Sequence, residues 1–334
     1  MTNNVNNTFH NSIFLTAMYG QRWRRYQAIS SHNLFHHTPV LRPINNTGYY
    51  YAEAWRGYAE PVVSSDRTLV RDAFSSYSAW CKEQSLICEL LRLDPLGQLR
   101  DLAGDIPNGR IVDGQPVAVL DTPSDMKHYR KQLPAACRRN LRSAKRHLEV
   151  RLITSNNLND LAAATMLHKK TLQRVQAADK WFVESNDLQS LSTLPEFVII
   201  GVFNRLTGKI VSFAGSLTEN GRLHVLLVGN NLQSDSKGAS DLLYEAIVAH
   251  AVESGTKAHS PIHRIYFGGG RSLDGSDSLM RFKLKFTLGR SVPCSYLALV
   301  HDHDAAARLP ASPKLDSSTE PLSELQRTCF PFLN

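Results

Sequence analysis

The stretch FGGGRSLDGSDSLMRFKLKF, residues 267–286, places three glycines, a polar turn and a basic helix directly after a strand-like run. The glycine spacing matches neither G-x-G-x-x-G nor the pattern G-x-x-x-x-G-K-S/T, so neither phosphate-binding loop is indicated. On a helical wheel, Leu279, Phe282 and Phe286 fall together and Met280 and Leu284 extend their apolar arc. Lys283 falls inside that arc, between Phe282 and Met280. A lysine there loses hydration unless its ammonium meets an anion or a polar cleft, which makes Lys283 a candidate functional residue. The alternative is a stem that lies along the core while the ammonium reaches water.

The residues in front of this helix are candidate substrate contacts. Phe267, Gly268, Gly269 and Gly270 form the end of the strand-like run and the loop after it. Because glycine has no Cβ, a substrate can approach this strand end without interference from side chains.

A second candidate site is the basic segment from Ser124 to His147, in which Asp125 is the only acid. Pro134 interrupts the pattern, so we expect two helical pieces rather than one. The net charge of the chain is +8, which favours anionic partners. A helix this basic is either a polyanion contact or a solvated surface connector. The candidate polyanion contacts are Arg138, Arg139, Arg142, Lys145 and Arg146.

Composition narrows the class of protein. The 334 residues are 42% hydrophobic and 20% charged, which is ordinary for a globular chain long enough for two domains. The five cysteines are scattered and include no C-x-x-C pair, which favours reduced thiols over a disulfide frame or a zinc site. We interpret the His301–Asp304 run HDHD as a solvated turn and expect no metal. The N-terminus does not look like a signal peptide and no apolar run approaches about 20 residues, so we expect a cytoplasmic protein.

The order of predicted elements indicates two mixed units. A helix over 66–84 and strands at 87–93 and 117–120 belong to the first unit, and a helix opens the second at 157. Three strands joined by tight turns follow over 197–228, then a helix after Gly238, a strand at 263–267 and a last strand at 294–300. The predicted divisions are a first domain over 10–122, a basic helical connector over 123–150, a second domain over 151–303 and a loosely ordered tail over 304–334.

Several segments of the chain resemble the Fem family of peptidoglycan-bridge aminoacyltransferases and its relatives in surface-polysaccharide gene clusters. GASDLLYEAIVAHAVESG followed by IYFGGGRSLDGSDSLMRFKLKF is similar to the second half of that family. YYYAEAWRGYAEPV, LLRLDPL, CRRNLRSAKRHLEVRL and LHKKTLQRVQAADKWF resemble further segments of it. The resemblance extends from about residue 10 to about residue 303.

The resemblance implies an α/β (α+β) fold of two packed GNAT-like domains with mixed, largely antiparallel sheets and an active cleft at their junction. It implies that Lys283 stabilises the charge that develops during transfer. Arg174 aligns with a family segment that contacts the phosphates of the acceptor, although an exposed helix arginine is an equal interpretation. Asp235, Asp241 and Glu245 depart from the usual coenzyme A signature, because acids at a helix N-terminus compete with phosphate.

The expected function is therefore an acyltransferase that moves an acyl or aminoacyl group onto an amine of a cell-envelope or polysaccharide precursor, or of a related small metabolite, by direct attack. We expect no bound cofactor, and the sequence leaves the donor open among aminoacyl-tRNA, acyl-CoA and acyl carrier protein. The alternatives are a non-catalytic module that binds RNA or an anionic carrier, and an acyl-CoA-dependent N-acetyltransferase. The partners would be the donor, including tRNA, an amine-bearing acceptor, and the anionic face of a membrane through peripheral contact.

Overall fold

The computed structural model describes residues 7–29, 34–44, 46–64, 66–232, 236–257, 261–309 and 321–333. Asp235 lies outside these ranges. The helices in these ranges are α1 Ser12–Tyr19, α2 Arg67–Glu83, α3 Leu99–Leu102, α4 Met126–Gln132, α5 Ala135–His147, α6 Leu158–Arg174, α7 Ser185–Leu191, α8 Ala239–Lys257, α9 Ser278–Phe286, α10 His303–Arg308 and α11 Pro321–Cys329. The strands are β1 Tyr26–Ile29, β2 Leu34–His37, β3 Leu41–Pro43, β4 Tyr50–Glu53, β5 Val62–Val63, β6 Leu86–Arg92, β7 Gly109–Asp113, β8 Val117–Asp121, β9 Leu148–Ile153, β10 Phe197–Asn204, β11 Ile210–Glu219, β12 Arg222–Asn230, β13 Arg264–Gly269, β14 Ser291–Val292 and β15 Ser295–Val300.

The described strands form three sheets. The largest has the order β14-β8-β13-β12-β11-β10-β9, a second has the order β3-β4-β6-β15-β7, and a small third has the order β1-β2-β5. Both larger sheets are mostly antiparallel and each contains one parallel pair, β12 with β13 and β4 with β6. The predicted α/β (α+β) class with mixed, largely antiparallel sheets is confirmed.

The two halves of the chain exchange strands. β8, from the first half, lies between β13 and β14 in the seven-stranded sheet, and β15, near the end of the chain, lies between β6 and β7 in the five-stranded sheet. Each half therefore completes the sheet of the other. The domain boundaries predicted at residues 122 and 303 stay a prediction. Strands from before and after residue 122 share each of the larger sheets, so the sheets do not mark a boundary there.

A shared hydrophobic core joins the two sheets. Val119 and Tyr266 of the seven-stranded sheet pack in one cluster with Leu90 and Tyr296 of the five-stranded sheet. Side chains of this kind stabilise a structure by about 1.5–3 kcal/mol each when they are fully buried. The two halves are thus packed together over a continuous apolar surface.

The C-terminal segment packs more closely than its composition predicts. Leu325 of α11 and Phe330 are buried in the core between the sheets, and the amide of Gln326 donates a 2.6 Å hydrogen bond to Oε2 of Glu53. His301 is also buried and contacts Ser78 instead of lying in a solvated turn. The expectation of a loosely ordered tail does not describe these residues.

The strands β12 and β13 create an opening in the large sheet. They are paired at only three positions, the last of which joins His224 to Tyr266, and beyond that point they separate. β12 also carries a bulge in which Leu226 has no opposite residue on β11. The opening lies where β13 runs into the glycines and α9.

Candidate functional site

Lys283 is buried at the base of this opening. Its side chain lies on α9 with 8% of its surface exposed, and its Nζ donates a 2.6 Å hydrogen bond to the carbonyl oxygen of Gly269. Burial, followed by the positive charge of Arg92, lowers the pKa of Lys283 from 10.5 to about 7, although the carboxylate of Asp277 opposes the change. The expectation that Lys283 lies on the apolar side of its helix is met, and the ammonium does not reach open water.

Asp277 fixes the position of the helix that carries Lys283. Its Oδ1 accepts hydrogen bonds from the N–H groups of Leu279 at 2.8 Å and Met280 at 3.1 Å, which is the geometry of an N-cap. Its Oδ2 accepts from the N–H groups of Arg271 at 2.7 Å and Ser272 at 3.2 Å. One carboxylate therefore joins the glycine-containing loop to the start of α9.

Arg92 brings a second cation to Lys283 from the other sheet. Its guanidinium lies 4.7 Å from the centre of the Tyr58 ring and interacts with the buried thiol of Cys294. No oxygen or nitrogen of the described residues accepts a hydrogen bond from its buried Nε and Nη2 atoms. Within the same residues, no carboxylate forms an ion pair with Arg92 or Lys283. Two neighbouring buried cations without a paired carboxylate favour the binding of an anionic group.

A stack of aromatic rings continues from Tyr58 toward a group of acids. The His224 ring lies 5.6 Å from Tyr58 and 4.8 Å from Tyr266, and the Tyr266 hydroxyl donates a 2.9 Å hydrogen bond to Asp94. Oε1 of Glu60 accepts a 2.6 Å hydrogen bond from the Asp94 N–H. Burial, together with the charge of Asp94, raises the pKa of Glu60 to about 8. These side chains come from both halves of the chain and line their junction.

Arg56 links the first half to the bulge in β12. Its guanidinium donates hydrogen bonds to the carbonyl oxygens of Leu226, at 2.8 Å, and Trp181, and it lies 5.1 Å from the centre of the Trp181 ring. Burial lowers the pKa of Arg56 to about 10. The bulged strand is thus held from the opposite half of the molecule.

The four residues predicted to contact substrate have protein neighbours. The Phe267 ring is buried and stacks on Tyr244 at 5.1 Å, so its side chain belongs to the core. A Cβ at Gly268, where φ is +80°, would lie 3.4 Å from Nζ of Lys283. A Cβ at Gly269 would lie 2.5 Å from Nε2 of Gln115, and one at Gly270 would collide with the capping carboxylate of α9. The glycines therefore permit close packing around Lys283, and direct contact with substrate stays a prediction.

Arg174 lies at the C-terminal end of α6, and the carbonyl oxygen of the next residue, Val175, accepts a 3.2 Å hydrogen bond from Arg271 of the glycine-containing loop. Arg174 is exposed, and its Nη1 donates a 3.3 Å hydrogen bond to the carbonyl oxygen of Asn230 at the end of β12. A cavity of about 400 Å³ opens nearby at the N-terminus of α8, between Lys237 and Lys285. Asp241 also lines this cavity, and its Oδ2 accepts a 2.7 Å hydrogen bond from Asn140. Two lysines and a helix N-terminus in this cavity favour the binding of an anion, but the negative charge of the Asp241 carboxylate disfavours it.

The basic segment folds as the two helices that Pro134 predicts, α4 and α5. Two of its candidate contacts already have partners: Arg138 donates to the carbonyl oxygens of Lys131 and Leu133, and Lys145 donates to Glu245 of α8 at 2.9 Å. Three others are exposed and form no ion pair with any residue that the structure describes, namely Arg139, Arg142 and Arg146. The surface available to a polyanion is smaller than the sequence indicates.

The cysteines form no disulfide, and all but Cys329 are buried. Burial raises the pKa of the Cys81, Cys88 and Cys294 thiols, which disfavours the thiolate. The described residues include no cluster of His, Cys, Asp and Glu arranged to hold a metal ion. Among the same residues, no helix is both long and apolar enough to cross a membrane.

Sequence reasoning missed Arg56, Tyr58, Glu60 and Arg92 as members of this junction. Each lies in a segment with a family resemblance, YYYAEAWRGYAEPV or LLRLDPL, and these segments were the available signal. Their side chains meet Lys283 and β12 only through contacts between the two halves.

Comparison with known proteins identifies the fold. No protein-family model matches the sequence, and no curated protein matches it significantly. Among solved structures, FemX superposes with a TM-score of 0.63 at 11% identity over 88% of this chain and 90% of that one. The C-terminal domain of a lysylphosphatidylglycerol synthetase from Agrobacterium fabrum gives 0.58 at 16% identity, over 88% and 87%. L-PGS from Bacillus licheniformis gives 0.55 at 13% identity, over 95% and 91%.

These similarities show that the chain has a Fem/GNAT-like fold of two packed domains. The expectation from the sequence is confirmed at that level. At such identities the likeness extends to the fold alone.

Proposed function

We propose that the protein is a transferase that moves an acyl or aminoacyl group from an activated donor onto an amine. The observation that carries the proposal is a pair of neighbouring buried basic side chains, Lys283 and Arg92, beside the opening between β12 and β13. Neither forms an ion pair with a carboxylate of the residues that the structure describes. Solved proteins of similar fold include FemX and a lysylphosphatidylglycerol synthetase domain, and the second name concerns an aminoacyl product.

The chemistry requires support for negative charge on a carbonyl oxygen. The amine nitrogen attacks the acyl carbon, the new C–N bond forms, and the bond from that carbon to the donor oxygen or sulfur breaks. The donor leaves as an alcohol or thiol and takes up the proton that the amine releases. Between these events the carbonyl oxygen carries a negative charge, and donors positioned in a buried site stabilise it strongly.

Lys283 is suited to this task. When Lys283 is protonated, its ammonium has three N–H donors, and the Gly269 carbonyl takes one of them, which leaves two for a substrate oxygen. Because its pKa is about 7, the protonated form is present at neutral pH, and a bound oxyanion favours it further. The N-cap at Asp277 and the hydrogen bond to Gly269 hold the ammonium at this position. Arg92 adds positive charge to the same place. No covalent enzyme intermediate is required, which agrees with the buried thiols.

The donor and the acceptor belong to the proposal. We infer that the amine is carried by a cell-envelope or polysaccharide precursor, or a related small metabolite, and that the exposed arginines of α5 contact a polyanionic donor. A second candidate function, RNA or anionic-carrier binding without catalysis, rests on those same exposed arginines, Arg139, Arg142 and Arg146.

The experiment is a donor panel. The full chain is incubated with aminoacyl-tRNA, acyl-CoA or acylated acyl carrier protein, each labelled in the acyl group, and with pooled amine-bearing envelope precursors. Mass spectrometry then detects a labelled amide. A labelled amide in any arm supports transfer and names the donor. If the protein retains RNA or carrier but no arm yields an amide, the result rejects the transferase and supports the non-catalytic binding module.

A further inference from the structure

β9 is an open edge of the seven-stranded sheet. Among the strands that the structure describes, it is hydrogen bonded only to β10. The N–H of Arg205 donates to the carbonyl oxygen of His147, which sets the alternation of the antiparallel ladder. Residues 147, 149, 151 and 153 therefore face β10, and the N–H and C=O groups of Val150 and Leu152 point away from the sheet.

This edge carries two charged side chains, Glu149 and Arg151, but lacks the other features that normally prevent pairing. β9 contains no proline, glycine or lysine, and its ladder with β10 has no bulge. Val150 is 40% exposed and Leu152 is 58% exposed. Both lie on the α8 side of the sheet, beside a groove of about 350 Å³ whose floor includes Ile200 and Ala246. Two exposed apolar side chains next to unpaired backbone groups form a surface for another strand.

The charges of β9 show which strand fits. We propose that β9 pairs antiparallel with β9 of a second copy of this chain, with Val150 opposite Val150 on the two-fold axis. In this register Glu149 lies opposite Arg151 of the second copy, twice, so the interface contains two opposite-charge pairs. Glu149 and Arg151 already lie on one face, with 3.4 Å between Oε1 and Nε within the chain.

The neighbouring registers are disfavoured. Residues whose backbone N–H and C=O groups point away from β10 can pair only with the same kind of residue on the second copy. One β9 strand can therefore shift along the other only by two residues at a time. One step places Glu149 opposite Glu149 and the other places Arg151 opposite Arg151, and like charges directly opposite each other destabilise a sheet. Leu148 does not contribute new hydrogen bonds, because its N–H already donates to the Ala144 carbonyl and its own carbonyl accepts from Arg205 Nε. The new backbone hydrogen bonds therefore centre on Val150.

The test is a charge exchange in the full chain, with mass measured by sedimentation velocity over a concentration series. Wild type is expected to be a dimer. Arg151→Glu and Glu149→Arg each replace both attractive pairs by repulsive ones, so each variant alone is expected to dissociate with a Kd roughly tenfold higher or more. An equimolar mixture of the two variants restores both pairs and is expected to form a heterodimer.

Two controls show whether the change in mass arises at β9. Leu288→Asn removes an exposed apolar side chain close to β14, at the opposite end of the sheet, and is expected to leave the dimer intact. Thermal melts check the fold, since Arg151 also lies 3.6 Å from the centre of the Phe203 ring. A monomeric wild type, an unchanged dimer in both charge variants, or a folded mixture that fails to associate would each overturn the proposal.

Discussion

Replacing Lys283 by methionine should stabilise the protein while it removes the proposed function. Methionine has a similar length and needs no hydration in the core. The charged form of lysine is the protonated one, and burial lowers its pKa from 10.5 in the unfolded chain to about 7 in the folded one. Between those two pH values the unfolded chain binds the proton and the folded chain does not, so stability is lost as the pH falls from 10.5 to 7.

The size of the effect follows from the same two pKa values. Each pKa unit corresponds to 1.36 kcal/mol. The buried lysine therefore lowers the free energy of unfolding by about 4 kcal/mol at pH 7 and by about 2 kcal/mol at pH 9. Loss of the hydrogen bond to Gly269 offsets about 1 kcal/mol of the gain in the variant. Lys283→Met should therefore be more stable than wild type at pH 7, and the difference should shrink by about 2 kcal/mol at pH 9.

Urea unfolding of both proteins at the two pH values measures these differences. Lys170→Met is the matched control, because Lys170 is an exposed lysine of α6 and its replacement should change stability by less than about 0.5 kcal/mol at either pH. A Lys283→Met protein that is less stable than wild type at pH 7, or a difference that does not depend on pH, would refute the argument from burial.

Three further predictions concern other parts of the molecule. Burial lowers the pKa of His224 from 6.5 to about 3, so stability falls as the pH drops below 6.5. Between pH 7 and pH 5, the free energy of unfolding of wild type, measured in urea, should fall by about 2 kcal/mol more than that of His224→Phe. Gly270→Ala should lower stability by about 1–3 kcal/mol because its Cβ collides with the capping carboxylate of α9, whereas Gly104→Ala, which meets open space, should leave the melting temperature almost unchanged. Charge reversal of Arg142 and Arg146 should weaken binding of a polyanionic donor, as measured by filter binding. The slope of log affinity against log salt should fall by about 0.7–0.9 for each phosphate that the protein no longer neutralises. An unchanged slope would show that these arginines are only solvated.

Local patterns in the sequence predict the elements around Lys283 well. The apolar arc of α9 predicts the buried position of the lysine, and Pro134 predicts the break between α4 and α5. The helix predicted over 66–84 likewise corresponds to α2, which Asp66 caps. Each of these features depends on residues within a few positions of one another.

Long-range contacts account for the features that local patterns do not predict. The partner of Lys145 is Glu245, a hundred residues away in the chain, so a lysine in a basic run looks unpaired until the fold is known. Gly269 resembles an open substrate loop until Gln115, on a different segment, is found against it. The exchange of β8 and β15 between the sheets is likewise invisible to any local periodicity.

The central claim is that the Lys283 ammonium supports the transferred carbonyl, and a single-turnover rate of amide formation tests it most directly. With the donor that the panel identifies, Lys283→Met should form product about 10²–10³-fold more slowly than wild type, while its melting temperature does not fall and Lys170→Met transfers at the wild-type rate. A folded Lys283→Met protein that forms the amide at the wild-type rate would contradict the claim.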